Sequence, residues 1–261
     1  MDKLHFFINY LKYNYLKTNE HQLHSPFVFE LYNQMFKKNM PFYSYETVEA
    51  IRSQLLLNPA QIHVTDLGAG SGASRSNLRS IRQITKTATK NKKYAQLLFR
   101  LADHFQPDII LELGTNVGIS TMYLAIARSK SRVITIEGCP EIRKIAQENF
   151  KQLQLQNIEP VLGNFDTELP GILASLNTLG LVFFDGNHRK EATLNYFNQC
   201  LEKASNNSVF IFDDIYWSKG MTQAWETIKA HPKVTVTLDL FQLGIVFFRP
   251  EQAKQHFVLK Y

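Results

Sequence analysis

The sequence predicts an α/β fold, a Rossmann-like and mostly parallel sheet of seven strands with an antiparallel C-terminal hairpin strand, plus a helical N-terminal extension. Two observations predict it. From about residue 108, short apolar runs alternate with helical patterns, which is typical of a sheet with crossover helices. Near the end, runs 233–241 and 244–250 are separated by only a couple of residues. So short a connection favours an antiparallel pair, because parallel strands need a crossover of about a dozen residues.

The N-terminal part of the chain has helical patterns and one glycine-rich loop. Helices are predicted over 3–17, 26–36 and 47–57, and a longer helix over 94–105 leads into the sheet. We expect residues 1–84 to form an extension, and residues 85–261 to form the α/β domain.

The α/β part alternates strands with helices. The predicted strands cover 108–114, 132–138, 158–163, 179–186 and 208–214, followed by the two strands of the hairpin. The predicted helices cover 119–129, 140–154, 168–176, 189–203 and 218–231. This order, with a hairpin at the end, favours a methyltransferase-like sheet over that of a dinucleotide dehydrogenase, which would more often continue with parallel strands.

Composition limits the class of protein. Hydrophobic residues make up 44% of the chain, which is enough for a proper core. Two distant cysteines without a CxxC pair argue against a disulfide framework or zinc cluster and fit a reducing cytoplasm. The N-terminal segment lacks a signal-peptide core and a membrane span, so we expect a cytoplasmic protein with no membrane partner. The net charge of +6 allows an anionic partner such as RNA, although a small-molecule partner is favoured.

Two glycine loops compete for the role of a nucleotide-binding turn. The first, DLGAGSGAS at 66–74, has more glycines than the second, LELGTNVGIST at 111–121. Such a turn needs a buried strand before it, a helix start after it, and an acid at the end of the next strand to accept ribose hydroxyls.

Only the second loop meets these conditions. An apolar strand precedes it, Gly114 and Gly118 punctuate the turn, and the next strand ends at Glu137. No buried strand follows the first loop, and no acid occurs between Asp66 and Asp103. The first loop is interpreted as a surface turn, with a gate or substrate loop as the alternative because of the basic residues that follow it. These are Arg75, Arg79, Arg82, Lys86, Lys90, Lys92 and Lys93.

Across residues 85–249 the sequence resembles the catechol and caffeoyl-CoA type of class I S-adenosylmethionine-dependent O-methyltransferases. The resemblance lies in the loop LELGTNVGIST, in the strand RVITIEG, and in the strand ends LVFFDGNH and VFIFDDIYW. It implies S-adenosylmethionine as cofactor. The residues that it places at the cofactor are Glu112, Gly114, Thr115, Gly118, Ser120, Glu137, Gly138, Asn164, Phe165 and Asp185.

The resemblance also implies how parts of the cofactor are bound. Glu112 and Gly114 would line the methionine end, Glu137 would take the ribose hydroxyls, and Asn164 and Phe165 would lie at the edge and face of the adenine.

The same resemblance implies a Mg²⁺ site formed by Asp185, Asp213 and Asp214. Two of these acids end successive parallel strands, at the edge where open α/β sheets bind ligands. Crowded carboxylates there repel one another unless a cation or proton compensates. The family usually has Asp-Asn where this chain has Asp213-Asp214, but oxygen ligands still suit Mg²⁺. DG and DD are also common turn formers, so an ordinary pair of turns is the alternative.

His188 is the candidate catalytic base, with Asp185 beside it. The family has a lysine at this position, three residues after the first aspartate, and a histidine can abstract the same proton near neutral pH. A helix-capping histidine is the alternative.

Together these features predict transfer of a methyl group from S-adenosylmethionine to a hydroxyl of a small phenolic or vicinal-hydroxyl acceptor. The alternatives are methylation of a hydroxylated tRNA or RNA base, a cofactor-binding protein without transferase activity, and a nicotinamide oxidoreductase, which the loop spacing disfavours. A homodimer is also left open.

Overall fold

The computed structural model describes residues 3–19, 22–37, 42–65 and 77–261. Its helices are α1 (Lys3–Leu16), α2 (Pro26–Leu31), α3 (Tyr43–Leu57), α4 (Ile81–Ala88), α5 (Lys92–Phe105), α6 (Ile119–Ala127), α7 (Pro140–Gln152), α8 (Phe165–Ala174), α9 (Lys190–Leu201) and α10 (Lys219–Ala230). Its strands are β1 (Gln61–His63), β2 (Leu78–Ser80), β3 (Ile109–Leu113), β4 (Arg132–Glu137), β5 (Ile158–Leu162), β6 (Leu179–Phe184), β7 (Ala204–Asp213), β8 (Val236–Asp239), β9 (Leu243–Phe247) and β10 (Gln255–Val258). A π-helical segment, Tyr32–Lys37, follows α2.

The chain forms two compact units. The first contains residues 1–39 and 176–261, and the second contains residues 40–175. The predicted domain boundary near residue 84 stays a prediction.

The second unit is built on three parallel strands in the order β3-β4-β5. Strands β3 and β4 are almost wholly buried, which agrees with their continuous apolar sequences. Helices α3 to α7 contribute apolar side chains to one core cluster, which includes Tyr45, Phe99, Met122, Tyr123 and Phe150.

The first unit carries five strands in the order β10-β8-β9-β7-β6. Strands β6 and β7 are parallel, whereas β9 pairs antiparallel with both β7 and β8. This is the predicted C-terminal hairpin. Strand β10 adds to β8 in parallel and is not among the seven predicted strands.

Strands β1 and β2 are the other two unpredicted strands. They pair antiparallel from Gln61↔Ser80 to His63↔Leu78, and so join the ends of the segment that contains the first glycine loop. The loop itself, 66–74, lies outside the described residues. Strand β2 is not buried, which agrees with the prediction that no buried strand follows this loop.

The predicted fold class is confirmed: a mostly parallel, Rossmann-like sheet with flanking helices, an antiparallel C-terminal hairpin and N-terminal helices. Among the described residues, no helix is both long and apolar enough to cross a membrane.

Candidate active site

The turn between β3 and α6 is shaped by two glycines. Gly114 and Gly118 have φ of 112° and 85°, in the left-handed region that favours glycine. A Cβ atom on Gly118 would lie 2.4 Å from Cε1 of Phe150, so a side chain is excluded there by space as well as by backbone conformation. The backbone N–H groups of Gly114 and Thr115 both donate to the carbonyl of Ile136 on β4, at 3.1 and 3.2 Å. The turn is therefore held tightly against the end of β4.

Glu137 ends β4 and lies beside this turn. Its Oε2 accepts from the N–H of Asn116 at 2.8 Å, and its Oε1 accepts from the N–H of Cys139 at 2.9 Å. Gly138 lies between Glu137 and Cys139 in the chain. These two bonds orient the Glu137 carboxylate at the end of β4.

Glu112 lies on β3 and is completely buried. The hydroxyls of Thr121 and Thr135 donate to its Oε2, and Thr135 also bonds Thr115 at 2.6 Å. Its Oε1 has no hydrogen-bond partner in the part of the chain that the structure describes. Burial raises the pKa of the Glu112 carboxyl to about 7, and the neighbouring hydroxyls of Ser120, Thr121 and Thr135 oppose the shift.

Thr135 has no place in the sequence-based set of site residues. A threonine inside the apolar run of β4 was the available signal, because a buried hydroxyl needs a partner.

Asn164 and Phe165 begin α8, next to the end of β5. The Asn164 side chain accepts from the N–H of Asp166 at 3.0 Å and so caps the helix. Gly163 donates to the carbonyl of Glu137 at 3.0 Å, which places the two strand ends side by side. The structure thus brings the predicted cofactor residues of the second unit to the carboxyl ends of β3, β4 and β5.

The first unit brings a second group of polar residues together at the ends of β6 and β7. Phe184 and Phe212 are register partners whose rings stack with centroids 4.4 Å apart. Each is followed directly by an acid, Asp185 or Asp213. Potential ligand atoms of Asp185, His188 and Asp213 all lie within 4.8 Å of one another.

Asp214 lies at the rim of this cluster. Its Oδ2 is 4.0 Å from Nε2 of His188, which is also 4.0 Å from Oδ1 of Asp185. Asp214 has a left-handed backbone, with φ of 53°, and donates its N–H to the carbonyl of Gln242 at 2.8 Å. His188 therefore faces two carboxylates.

His188 does not cap α9, because the capping position belongs to Arg189. The helix-cap alternative is wrong. The compact group of three potential ligands contains His188 where the sequence predicts Asp214, so the imidazole is placed to serve either as a ligand or as a base.

The segment that contains these residues is similar to known proteins. Residues 111–215 match a family described as "Methyltransferase domain". This segment runs from β3 to just beyond β7, and so contains both groups of polar residues.

Two curated relatives are of the catechol O-methyltransferase type. The catechol O-methyltransferase of Mycobacterium tuberculosis is 27% identical over 158 residues, which are 60% of this chain and 68% of the relative. The catechol O-methyltransferase domain-containing protein 1 of Mus musculus is 28% identical over 151 residues, or 54% of this chain. The chain spans 56% of that second relative, less than two thirds of its length.

Solved structures show the same fold. An O-methyltransferase from Bacillus cereus in complex with SAH has a TM-score of 0.57 and 18% identity, covering 84% of this chain and 95% of that one.

The matched segment and the relatives support the class that the sequence predicts, a class I S-adenosylmethionine-dependent methyltransferase, and the solved structure shares its fold. Within that class, the similarity is to O-methyltransferases of the catechol type, the type that the sequence resembles. The predicted methyltransferase class is confirmed at this level, whereas cofactor, acceptor, metal and individual site residues remain proposals.

Proposed function

We propose that the protein methylates a hydroxyl group of a small phenolic or vicinal-diol acceptor with the help of a divalent cation. The observation that carries this proposal is the cluster of Asp185, His188 and Asp213, whose potential ligand atoms lie within 4.8 Å of one another. Paired carboxylates at the ends of parallel strands repel each other unless positive charge lies between them. The two curated relatives of the catechol type support the acceptor class.

The second unit supplies the groups that suit S-adenosylmethionine. The ribose diol of S-adenosylmethionine matches the Glu137 carboxylate, which two backbone N–H groups orient. The methionine ammonium of S-adenosylmethionine matches Oε1 of Glu112, a buried acceptor without a hydrogen-bond partner among the described residues. Leaving such an atom unpaired costs about 1–3 kcal/mol, so a donor from the ligand would remove a penalty.

The residues of the first unit fit a divalent cation. Carboxylate oxygens of Asp185 and Asp213 are the ligands that Mg²⁺ and Mn²⁺ prefer, and the carboxylate of Asp214 lies 4.0 Å from His188 of the same cluster. When bound, such a cation supplies positive charge that favours the ionised form of a neighbouring hydroxyl.

His188 is proposed to accept the proton. The acceptor hydroxyl loses its proton to an imidazole nitrogen, its oxygen forms a bond to the methyl carbon, and the sulfur–carbon bond breaks to leave S-adenosylhomocysteine. Asp185 and Asp214, each 4.0 Å from Nε2, stabilise the imidazolium that results.

Methyl transfer to catechol tests the proposal. We expect turnover with Mg²⁺ and its loss with a chelator. His188→Gln should lower kcat about 100-fold or more, the usual contribution of a general base, with little change in affinity for S-adenosylmethionine. Asp103→Asn, at an exposed carboxylate on α5, is the matched control and should retain full activity.

Undiminished turnover in the presence of chelator would contradict the metal part of the proposal. Methylation of a hydroxylated RNA base with no methylation of diphenols would contradict the acceptor class instead.

A further inference from the structure

Helix α1 is apolar on two opposite faces, and only one of them is covered within its own unit. Phe6 and Tyr10 pack edge-on against Phe241, with ring centroids 4.9 and 5.2 Å away, and Tyr13 packs beside them. The Tyr13 hydroxyl also donates to the carbonyl of Leu259 at 2.6 Å. This face fixes the helix on the first unit.

The opposite face is exposed. Five apolar side chains, between 53% and 88% exposed, form what we call the α1 stripe: Leu4, Phe7, Ile8, Leu11 and Tyr15. Their spacing of three and four residues places them on one side of the helix, in a row about 16 Å long. A contiguous exposed row of apolar side chains is unlike the single apolar residues of an ordinary surface and marks an interaction site.

The charges beside the stripe indicate what covers it. On a helix with 3.6 residues per turn, Lys3 and Lys12 fall on opposite edges of the stripe, and both are exposed. The sequence of α1, KLHFFINYLKYNYL, contains no acidic residue. An exposed apolar face bordered by lysines suits the surface of an anionic membrane. The apolar side chains enter the acyl boundary while the lysines reach the phosphate headgroups.

A second copy of the chain fits this face less well. Two stripes packed together would bring the lysines of both copies close to each other with no acid on α1 to pair them. The stripe also offers only roughly 600 Å² of apolar surface, given about 200 Å² for an exposed side chain of this size. A standard interface needs about 800 Å² from each partner.

We propose that the α1 stripe binds an anionic membrane surface, with Lys3 and Lys12 contacting its headgroups. The helix lies on the membrane and does not span it, whereas the expectation of no membrane partner is based on the lack of a spanning segment. The binding does not depend on the identity of the methyl acceptor.

Sedimentation with lipid vesicles tests this proposal. Wild-type protein should sediment with phosphatidylcholine vesicles that contain about 30% phosphatidylserine, and much less with phosphatidylcholine alone. Phe7→Ser combined with Leu11→Ser should weaken binding about tenfold or more. Lys3→Gln combined with Lys12→Gln should weaken it about tenfold on anionic vesicles and flatten its salt dependence.

The matched control is Leu57→Ser, which removes an exposed leucine from α3 in the other unit and should leave binding unchanged. Circular dichroism shows that each variant is folded. The proposal is overturned if wild type stays in the supernatant, or if the Phe7→Ser/Leu11→Ser variant binds as wild type does. It is also overturned if the stripe instead holds a dimer, seen by light scattering, that this variant dissolves.

Discussion

At the scale of single residues, the most unusual group is Glu112. It is completely buried, has a pKa near 7, and lies in a cluster of threonine hydroxyls on β3, β4 and α6. Because the pKa of an unfolded glutamate is about 4.3, the folded state binds this proton more tightly. The folding contribution of the protonated carboxyl is present in full below the unfolded pKa and is lost as pH rises through the folded pKa.

Glu112→Gln should remove this pH dependence. As the pH rises from about 4.5 to 7, ionisation of this carboxyl should lower the wild-type free energy of unfolding by an amount on the order of 3 kcal/mol. Glu112→Gln lacks this decrease because its amide does not titrate. The difference between the two proteins in urea unfolding should therefore change across that window and level off above it. Parallel pH profiles would contradict the raised pKa.

Gly118 is the second residue whose environment permits a firm prediction. Gly118→Ala should destabilise the protein by about 1–3 kcal/mol, since the new methyl group meets the Phe150 ring and the backbone is left-handed. Thermal unfolding measures the loss. Gly171→Ala is the control, because nothing lies within 4 Å of its added Cβ and the residue is helical. Equal behaviour of the two variants would refute the steric argument.

The sequence located the candidate site residues better than their surroundings. Gly114, Gly118 and Glu137 follow from the spacing of a strand, a turn and a helix. The helix cap formed by Asn164 and the threonine cluster around Glu112 depend on side chains from separate elements, which meet only in the folded chain. The same reason explains why His188, and not Asp214, completes the compact group of three.

At the scale of elements, an aromatic cluster connects α1 to the loop that contains Asp214. Phe241 lies in the turn between β8 and β9 and packs against the rings of α1. Tyr216 stacks on Phe241 with centroids 5.5 Å apart, and its hydroxyl donates to Oδ2 of Asp239. The next residue of the turn, Gln242, accepts the Asp214 N–H. The turn and its aromatic contacts therefore position Asp214.

Tyr216→Phe should disturb this positioning. The change removes the hydrogen bond from Tyr216 to the carboxyl of Asp239, which is buried and whose pKa is raised by that burial. Its loss should cost about 1–3 kcal/mol of stability. We expect weaker binding of Mn²⁺ with unchanged affinity for S-adenosylmethionine. Tyr43→Phe, at an exposed tyrosine of α3, is the matched control. A loss of stability without any change in metal affinity would show that Tyr216 is purely structural.

Elements were predictable where the sequence itself carries the pattern. The buried parallel strands are continuous apolar runs, and the short connection between β8 and β9 indicates the hairpin. Strands β1, β2 and β10 are short and contain no buried residue, so neither alternation nor an apolar run marks them. They exist because a partner strand is available, which is a property of the fold and not of the local sequence.

At the scale of the whole molecule, each unit carries one candidate site of distinct chemistry. The second unit presents the acceptors that suit a nucleoside diol and an ammonium group, and the first presents carboxylates and an imidazole. Except at Asp185, which the sequence resemblance assigns to both ligands, binding should therefore be separable by mutation, because no residue proposed for the metal belongs to the second unit.

The most direct test of the account is calorimetric titration of Mn²⁺ or Mg²⁺ into protein saturated with S-adenosylmethionine. Wild type and the Asp103→Asn control should bind the cation at a single site, and Asp213→Asn should lose that binding while it still binds S-adenosylmethionine. Retention of full cation affinity in Asp213→Asn, or no binding in wild type with catechol also present, would contradict the proposed metal site.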